Sequence, residues 1–172
     1  MSNTNGLEIE RKFLIVRPDE AVLERIPCAY KYDIEQIYLP SGARIRKRVG
    51  DGKAEYFYTV KQRVSEVTRI EREHTISEDE YRAYAREAGD VPTAISKTRW
   101  CLPCGKHVAE VDIYAFWQRV AVVEVELSHE DEEFELPSEI TVLREVTGES
   151  AYLNKTMAHE IKKNGYVKEP QI

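Results

Sequence analysis

Charged side chains recur at every second position in most of the strand-like segments of this chain. Successive side chains of a β-strand point to opposite faces, so residues i and i+2 share a face. Glu8 and Glu10 therefore point together, as do Arg44, Arg46 and Arg48. Ordinary amphipathic strands explain one such segment, but like charges repel and are usually avoided on strand after strand. The pattern predicts a sheet whose charged faces converge on bound ions.

The same alignment continues along the rest of the chain. It joins Lys61 with Thr59 and Arg63, Arg69 with Glu71 and Glu73, Lys97 with Arg99, Glu110 with Asp112, and Glu124 with Glu126. Clustered carboxylates are tolerated around a divalent cation, and clustered Arg and Lys around a multiply charged anion. If the sheet closes with these faces inward, its lumen has an acidic side for metal and a basic side for phosphates. Metal-assisted phosphoryl chemistry needs that layout.

Turn and capping signals divide the chain into about eight strands and three helical segments. Strands are expected over residues 7–16, 34–39, 43–49, 55–62, 69–76, 94–101, 107–116 and 119–127. Helices are expected over 19–26, from the capping box of Ser77 and Glu80 to Gly89, and over 151–164, while the acidic segment through Glu135 is a loop or a helix. These segments predict one α+β domain over residues 1–172, an antiparallel sheet that can close into a barrel.

Composition bounds the function classes. The chain has 172 residues, a hydrophobic fraction of 42% and a net charge of −6, which suits one folded domain and excludes wholesale disorder. A pI near 5.4 makes a non-specific nucleic-acid coat a poor fit. No apolar run approaches the ~20 residues that cross a bilayer, and no signal-peptide pattern begins the chain, so a cytoplasmic protein is expected.

Three cysteines do not suggest a disulfide framework. Cys101 and Cys104 form a CxxC within CLPCG, which the Pro and Gly residues mark as a turn between two strands. A structural turn is the favoured interpretation, and redox chemistry or a metal between subunits stays open.

An ordered set of short motifs resembles the CYTH superfamily, the triphosphate tunnel metalloenzymes. The opening EIERK at 8–12 is similar to the family's ExExK signature. The set continues with IYL at 37–39, RIR at 44–46, TVK at 59–61, RIERE at 69–73, KTR at 97–99, EVDIY at 110–114, VEVEL at 123–127, EVT at 145–147 and YLNK at 152–155. The resemblance therefore spans nearly the whole chain.

This resemblance implies an eight-stranded antiparallel closed β-barrel with a few flanking helices and a C-terminal plug helix that carries Lys155. It implies Mg²⁺ or Mn²⁺ at carboxylates, with Asp112 acting through water; these residues are Glu8, Glu10, Asp112, Glu124 and Glu126. It implies a triphosphate held by basic residues, namely Lys12, Arg44, Arg46, Lys61, Lys97, Arg99 and Lys155. Glu71 and Glu73 would orient these cations or assist a second metal. Lys12 and Tyr38 would form a pair and would be the catalytic residues.

The motifs look most like the small bacterial enzymes that hydrolyse inorganic triphosphate to pyrophosphate and phosphate. Hydrolysis of tripolyphosphate is therefore the expected function, with other triphosphates as poorer substrates. A class IV adenylyl cyclase, a thiamine triphosphatase and a non-catalytic polyphosphate or nucleotide binder stay open as alternatives. No membrane and no stable nucleic-acid partner are expected, and a homodimer stays open.

Overall fold

One antiparallel sheet of nine strands dominates the computed structural model, which describes residues 7–65 and 68–172. The strands are β1 (Leu7–Val16), β2 (Tyr30–Tyr38), β3 (Arg44–Gly50), β4 (Lys53–Arg63), β5 (Thr68–Ile76), β6 (Thr93–Cys104), β7 (His107–Ile113), β8 (Val120–Leu127) and β9 (Val142–Glu145). The helices are α1 (Glu20–Leu23), α2 (Glu78–Glu87) and α3 (Asn154–Asn164), the last preceded by a 3-10 turn at Ser150–Tyr152. None of the helices described is long and apolar enough to cross a membrane.

The strand order brings the first half of the chain back onto its own beginning. Neighbouring strands follow the order β5-β4-β3-β2-β6-β7-β8-β1-β9. β5 also pairs with β1, through three residue pairs between Leu7–Ile9 and Thr68–Ile70, compared with eight pairs between β1 and β8. β9 pairs with β1 farther along, from Phe13 to Ile15. β1 therefore has β8 on one side and, on the other, first β5 and then β9.

The α+β class and the antiparallel sheet are confirmed, but the predicted count of eight strands is wrong because β9 was missed. β9 is four residues long and has one partner, β1. So short a strand carries too little alternation to stand out in a sequence. β9 pairs with the part of β1 that β5 does not pair with.

The predicted turn at CLPCG is also wrong. β6 continues through Cys104, and the hairpin turns at Gly105 and Lys106. β2 accompanies β6 only as far as the pair Tyr30 and Cys101, so Pro103 lies where β6 has a single neighbour and its missing N–H is tolerated. Cys101 and Cys104 are three residues apart in a strand and point to opposite faces, which prevents joint chelation of a metal.

The helices begin and end close to their predicted positions, with two differences. The capping box of Ser77 and Glu80 is present and starts α2. α1 is a single turn of four residues instead of the predicted 19–26, and α3 begins at Asn154 because a 3-10 turn occupies the residues before it. The acidic segment from 128 to 135 has no helix.

Three apolar clusters hold the sheet in place. One packs the outward faces of β6, β7 and β8 against α1, including Leu23 and Leu102. A second lies under α2, where Tyr81 covers Ile37 and Ile45. The third surrounds α3 and includes Leu14, Ile95, Tyr114, Val122 and Met157. Because α3 is anchored in this third cluster, its first turn has a fixed position relative to the strands.

Glu132 ties the segment after β8 to the β6–β7 hairpin. Its carboxylate accepts a hydrogen bond from the Ser128 N–H at 2.6 Å and forms an ion pair with Lys106, and its Oε1 lies 3.2 Å from His107 Nε2. The hydrogen bonds from Lys106 and from the Ser128 backbone lower the pKa of Glu132 to about 2. A carboxyl with a lowered pKa stabilises the folded state above its unfolded pKa of ~4.3, and this contribution is lost as pH falls toward 2.

We therefore expect Glu132→Gln to lower the melting temperature at pH 7. As the pH is lowered from about 4.5 to 2, the melting temperature of the variant should fall less than that of the wild type. Glu133→Gln, which changes an exposed neighbour, is the matched control and should leave both unchanged. Thermal denaturation followed by circular dichroism across this pH range measures the effect. Equal curves for Glu132→Gln and the wild type would show that this carboxylate does not stabilise the hairpin.

Candidate active site

The charged faces of the strands surround a cavity of about 250 Å³. All of the site residues predicted from the sequence line it, except Glu73 and Asp112. Those that do are Glu8, Glu10, Lys12, Tyr38, Arg44, Arg46, Lys61, Glu71, Lys97, Arg99, Glu124, Glu126 and Lys155. The side chains of Arg63 and Arg69 lie outside the set that the structure describes.

Strand register explains why residues so far apart in sequence meet. Glu10 lies opposite Glu126, and Lys12 lies opposite Glu124, between β1 and β8. Glu124 in turn lies opposite Glu110 on β7. Cross-strand partners share a face, so the alternation within each strand carries around the sheet. The predicted convergence of charged faces is therefore present.

Arg44 and Arg46 form the centre of a basic wall. Arg46 Nη2 donates to Glu73 at 2.8 Å, and the Thr59 hydroxyl donates to the same carboxylate at 2.7 Å. Arg44 Nη2 lies 3.9 Å from Glu71 and 3.6 Å from Glu73. Glu73 therefore binds Arg46 and lies close to Arg44, but it does not itself line the cavity.

The Nε atoms of both arginines are buried and, among the described residues, have no hydrogen-bond partner. A buried donor without a partner is costly and usually marks a site for a ligand or water. Burial, and next the charge of Arg44, lower the pKa of Arg46. An anion in the cavity would relieve the repulsion between the two guanidinium groups, both of which line it.

A buried ionic network closes the wall beside them. Asp112 is fully buried and binds both Lys97 and Arg99, with 2.6 Å between its Oδ1 and Arg99 Nε. Arg99 Nη2 also donates to Glu124 at 2.7 Å, and Lys12 Nζ lies 2.7 Å from the same carboxylate. Burial acts to raise the pKa of Glu124, but the charges of Lys12 and Arg99 together hold it well below its usual range. Asp112 therefore lies behind Lys97 and Arg99, out of direct reach of the cavity.

Glu8 and Glu126, on the acidic side of the cavity, have fewer ion pairs than Glu124 has among the described residues, and they repel one another. Burial, followed by the charges of Glu8 and Glu110, raises the pKa of Glu126. Glu8 forms an ion pair with Lys61 at 2.7 Å, and Lys61 also pairs with Glu71 at 2.5 Å. A cation added beside Glu126 would relieve the mutual repulsion of these carboxylates.

The donor set on this side fits a hard divalent cation. It consists of carboxylate oxygens, without thiolate or imidazole, which is the chemistry that Mg²⁺ and Mn²⁺ prefer. Among the described residues, no group of three or more Asp, Glu, His or Cys side chains has the geometry of a formed metal site. Carboxylates such as Glu8 and Glu124 are instead directed at lysines and arginines.

The first turn of α3 borders the cavity next to Lys12. Leu153, Asn154 and Lys155 all line it. Lys12 Nζ donates to the carbonyl of Tyr152 at 3.3 Å, and the Tyr38 hydroxyl donates to Gln36 Oε1 at 3.3 Å. Burial raises the pKa of Tyr38, while the nearby charges of Arg44, Lys61 and Lys12 act in the opposite direction. The tail helix therefore limits the cavity at this end.

Four polar residues that line the cavity were not predicted as site residues. They are Gln36, Thr59, Glu110 and Asn154. Strand parity contained the signal for three of them, since Gln36 shares a face with Tyr38, Thr59 with Lys61, and Glu110 with Asp112. Asn154 precedes Lys155 at the start of α3, and no periodic pattern distinguishes it.

Comparison with known proteins gives similarity at the level of structure. No family model matches this chain, and no curated protein matches it. Two solved structures of NE1496, one of them described as an inorganic triphosphatase, are 28% identical to it. They cover 88% of this chain and 97% and 93% of their own, with TM-scores of 0.53 and 0.52. PH1819 from Pyrococcus horikoshii OT3, at 19% identity and a TM-score of 0.52 over 72% of this chain and 80% of its own, shares the fold.

Proposed function

This chain belongs to the CYTH superfamily of triphosphate tunnel metalloenzymes, and we propose that it hydrolyses inorganic triphosphate to pyrophosphate and phosphate with a divalent metal ion. The observation that carries the proposal is the cavity itself, whose lining sets Arg44, Arg46 and Lys61 beside carboxylates such as Glu10 and Glu126. The similarity to NE1496, described as an inorganic triphosphatase, supports this choice of substrate. The pairing of β1 with β5 supports a tunnel that closes around the anion.

The basic wall would bind and orient the triphosphate. Arg44 and Arg46 present guanidinium forks whose geometry matches phosphate oxygens, and Lys61 and Lys155 border the same space. Glu73 and Thr59 fix the direction of Arg46 before the substrate arrives. Such preorganised cations neutralise the charge that develops on the transferred phosphoryl group and on the leaving pyrophosphate.

The acidic side would hold the metal ion. Its ligands would be Glu8, Glu10, Glu124 and Glu126, which line the cavity, and Asp112 would act on it only through water because it lies behind Lys97 and Arg99. A divalent ion bound there would supply Lewis-acid polarisation of phosphate oxygens. Lys12, held between Glu124 and the Tyr152 carbonyl, would point its ammonium group toward the substrate from the α3 end.

A substrate panel tests the proposal. Purified protein is incubated with tripolyphosphate, ATP and thiamine triphosphate, each with Mg²⁺, Mn²⁺ or excess EDTA, and phosphate, pyrophosphate and cyclic AMP are measured. We expect fastest turnover of tripolyphosphate with a metal ion, and none with EDTA. Cyclic AMP from ATP would identify a cyclase, preference for thiamine triphosphate would identify that triphosphatase, and phosphate release unaffected by EDTA would contradict the role of metal.

Arg46→Ala is expected to lower kcat/KM for tripolyphosphate about ten- to a hundredfold. The substitution removes a charge-assisted hydrogen bond, whose contribution of ~1.5–3 kcal/mol corresponds to that factor. The variant should stay folded, because relief of the repulsion from Arg44 offsets part of the lost contacts with Glu73 and Phe57. Arg82→Ala, which removes an exposed arginine paired with Glu78 on α2, is the control and should leave kcat/KM unchanged. A variant that melts early but keeps normal specific activity would show that Arg46 is structural.

A further inference from the structure

We propose that a stack of arginine and aromatic side chains, Arg46–Phe57–Arg48–Tyr32, ends the cavity opposite α3 and restricts its occupant to a chain of three phosphates. The inference rests on the proposed function, because it assumes that the triphosphate lies in the cavity described above. It assigns a specificity-determining role to Tyr32, Arg48 and Phe57.

The register of β2, β3 and β4 places the stack immediately beyond the cavity. Arg48 follows Arg46 on the same face of β3, and Phe57 on β4 lies opposite Arg46. Ile34 on β2 lies opposite Arg48, and Tyr32 is the next residue on that face of β2. Arg46 lines the cavity, but Arg48, Phe57 and Tyr32 do not. The cavity therefore ends between the levels of Arg46 and Arg48.

The side chains of the stack are in close contact. The guanidinium carbon of Arg46 lies 5.0 Å from the centre of the Phe57 ring, and that of Arg48 lies 4.9 Å from it on the neighbouring level. Arg48 also lies 4.5 Å from the centre of the Tyr32 ring. These are distances at which a cation is attracted to an aromatic face. Phe57 is only 8% exposed, so little open space remains around it.

Arg48 is held in the stack by a carboxylate as well. Its Nε and Nη2 donate to Glu55 Oε2 at 3.0 and 2.7 Å. Arg44 and Arg46, in contrast, each keep a buried Nε–H without a hydrogen-bond partner among the described residues. The third arginine of the strand is thus committed to its neighbours, whereas the first two line the cavity.

The other boundaries of the cavity also leave no favourable place for a longer anion. The first turn of α3 limits the cavity at the Lys12 end. Toward β7 and β8 the lining consists of the carboxylates Glu110, Glu124 and Glu126, where the proposed metal ion, and not a further phosphate, would lie. A fourth phosphate, or a nucleoside attached to the third, would have to displace Phe57 and Arg48 or lie against these carboxylates. The occupant that fits is a free triphosphate.

Binding measurements on chains of different length test the inference. The slowly hydrolysed imido analogues of triphosphate and tetraphosphate are titrated, with Mg²⁺, into the wild type, Phe57→Leu and Arg48→Ala in a calorimeter. We expect the wild type to bind the triphosphate analogue at least about tenfold more tightly than the tetraphosphate analogue, a difference of ~1.4 kcal/mol in binding free energy. In both variants the ratio of the two dissociation constants should fall toward one. Tyr58→Leu changes the adjacent, outward-facing residue of β4 and should leave the ratio at its wild-type value.

A wild-type ratio near one, or an unchanged ratio in Arg48→Ala, would overturn the inference. Arg48 is more exposed than Phe57, so Arg48→Ala should fold and still test the inference if Phe57→Leu does not fold. Failure of the proposed function is distinguishable, because it appears as absent phosphate release from tripolyphosphate while the binding ratio is still measured. Failure of this inference leaves hydrolysis intact and removes only the selection for length.

Discussion

Asp112→Ala is expected to cost about 3–5 kcal/mol of unfolding free energy, the range for breaking a buried ion pair by removing one partner. Asp112 has no solvent exposure, and its carboxylate binds Lys97 and both Nε and Nη2 of Arg99. Lys97 is itself 1% exposed, and burial, followed by the charge of Arg99, lowers its pKa to about 8. Without Asp112 this ammonium group would lose its ion-pair partner, and the charge of Glu124 would be left to offset the repulsion from Arg99.

The loss corresponds to a fall of roughly 6–20 °C in melting temperature for a domain of this size. Urea denaturation and thermal unfolding followed by circular dichroism measure it. Asp33→Ala is the matched control, since Asp33 is an exposed aspartate that accepts one hydrogen bond from Thr98 at 3.0 Å. It should cost no more than about 1 kcal/mol. Equal losses for the two variants would show that the buried network around Arg99 does not stabilise the fold.

Metal and triphosphate are expected to stabilise the protein together far more than the sum of their separate effects. The acidic side attracts a cation but repels phosphate, and the basic wall does the reverse, so each ligand masks the charges that hinder the other. A ligand that binds only the folded state adds ~2.7 kcal/mol at a hundredfold excess over its Kd. For this chain length that is a rise of about 5–11 °C.

Melting temperatures of the wild type with Mg²⁺, with a slowly hydrolysed triphosphate analogue, and with both, measure this synergy. Glu8→Gln removes the charge of one proposed metal ligand and should shrink it. Glu55→Gln changes a carboxylate that pairs with Arg48 and does not line the cavity, and should leave the synergy close to that of the wild type. Strictly additive shifts in the wild type would mean that metal and phosphate occupy separate places, and the shared cavity would have to be abandoned.

The faces of the strands were predictable from the sequence because strand parity depends on local geometry alone. β1 has the predicted bounds, 7–16, and the capping box at Ser77 starts α2 as expected. β9 was not predictable, since its four residues become a strand only where β5 leaves β1 without a partner. The extension of β6 through Pro103 has a similar cause, because the missing donor is harmless only where β2 has ended.

The partners of the charged side chains were harder to predict than their faces. Alternation places Lys97, Arg99 and Asp112 on inward faces, but whether Asp112 meets a metal or two cations depends on the stagger of β6 against β7. Glu110 shares a face with Asp112 and begins the EVDIY motif, yet only the structure shows that it, and not Asp112, lines the cavity. Strand alternation alone places Arg48 with Arg44 and Arg46, and the contacts of Arg48 with Phe57 and Tyr32 emerge only from the three-dimensional structure.

A phosphorus NMR time course of tripolyphosphate with the wild-type protein tests the proposed activity most directly, because it follows substrate and both products in one sample. With Mg²⁺ or Mn²⁺ we expect the tripolyphosphate signals to disappear and phosphate and pyrophosphate to appear in equal amounts. With excess EDTA the spectrum should stay unchanged, and Arg46→Ala should slow the conversion while Arg82→Ala should not. Persistence of tripolyphosphate with either metal, in a sample shown to be folded by circular dichroism, would contradict the assignment of this cavity to triphosphate hydrolysis.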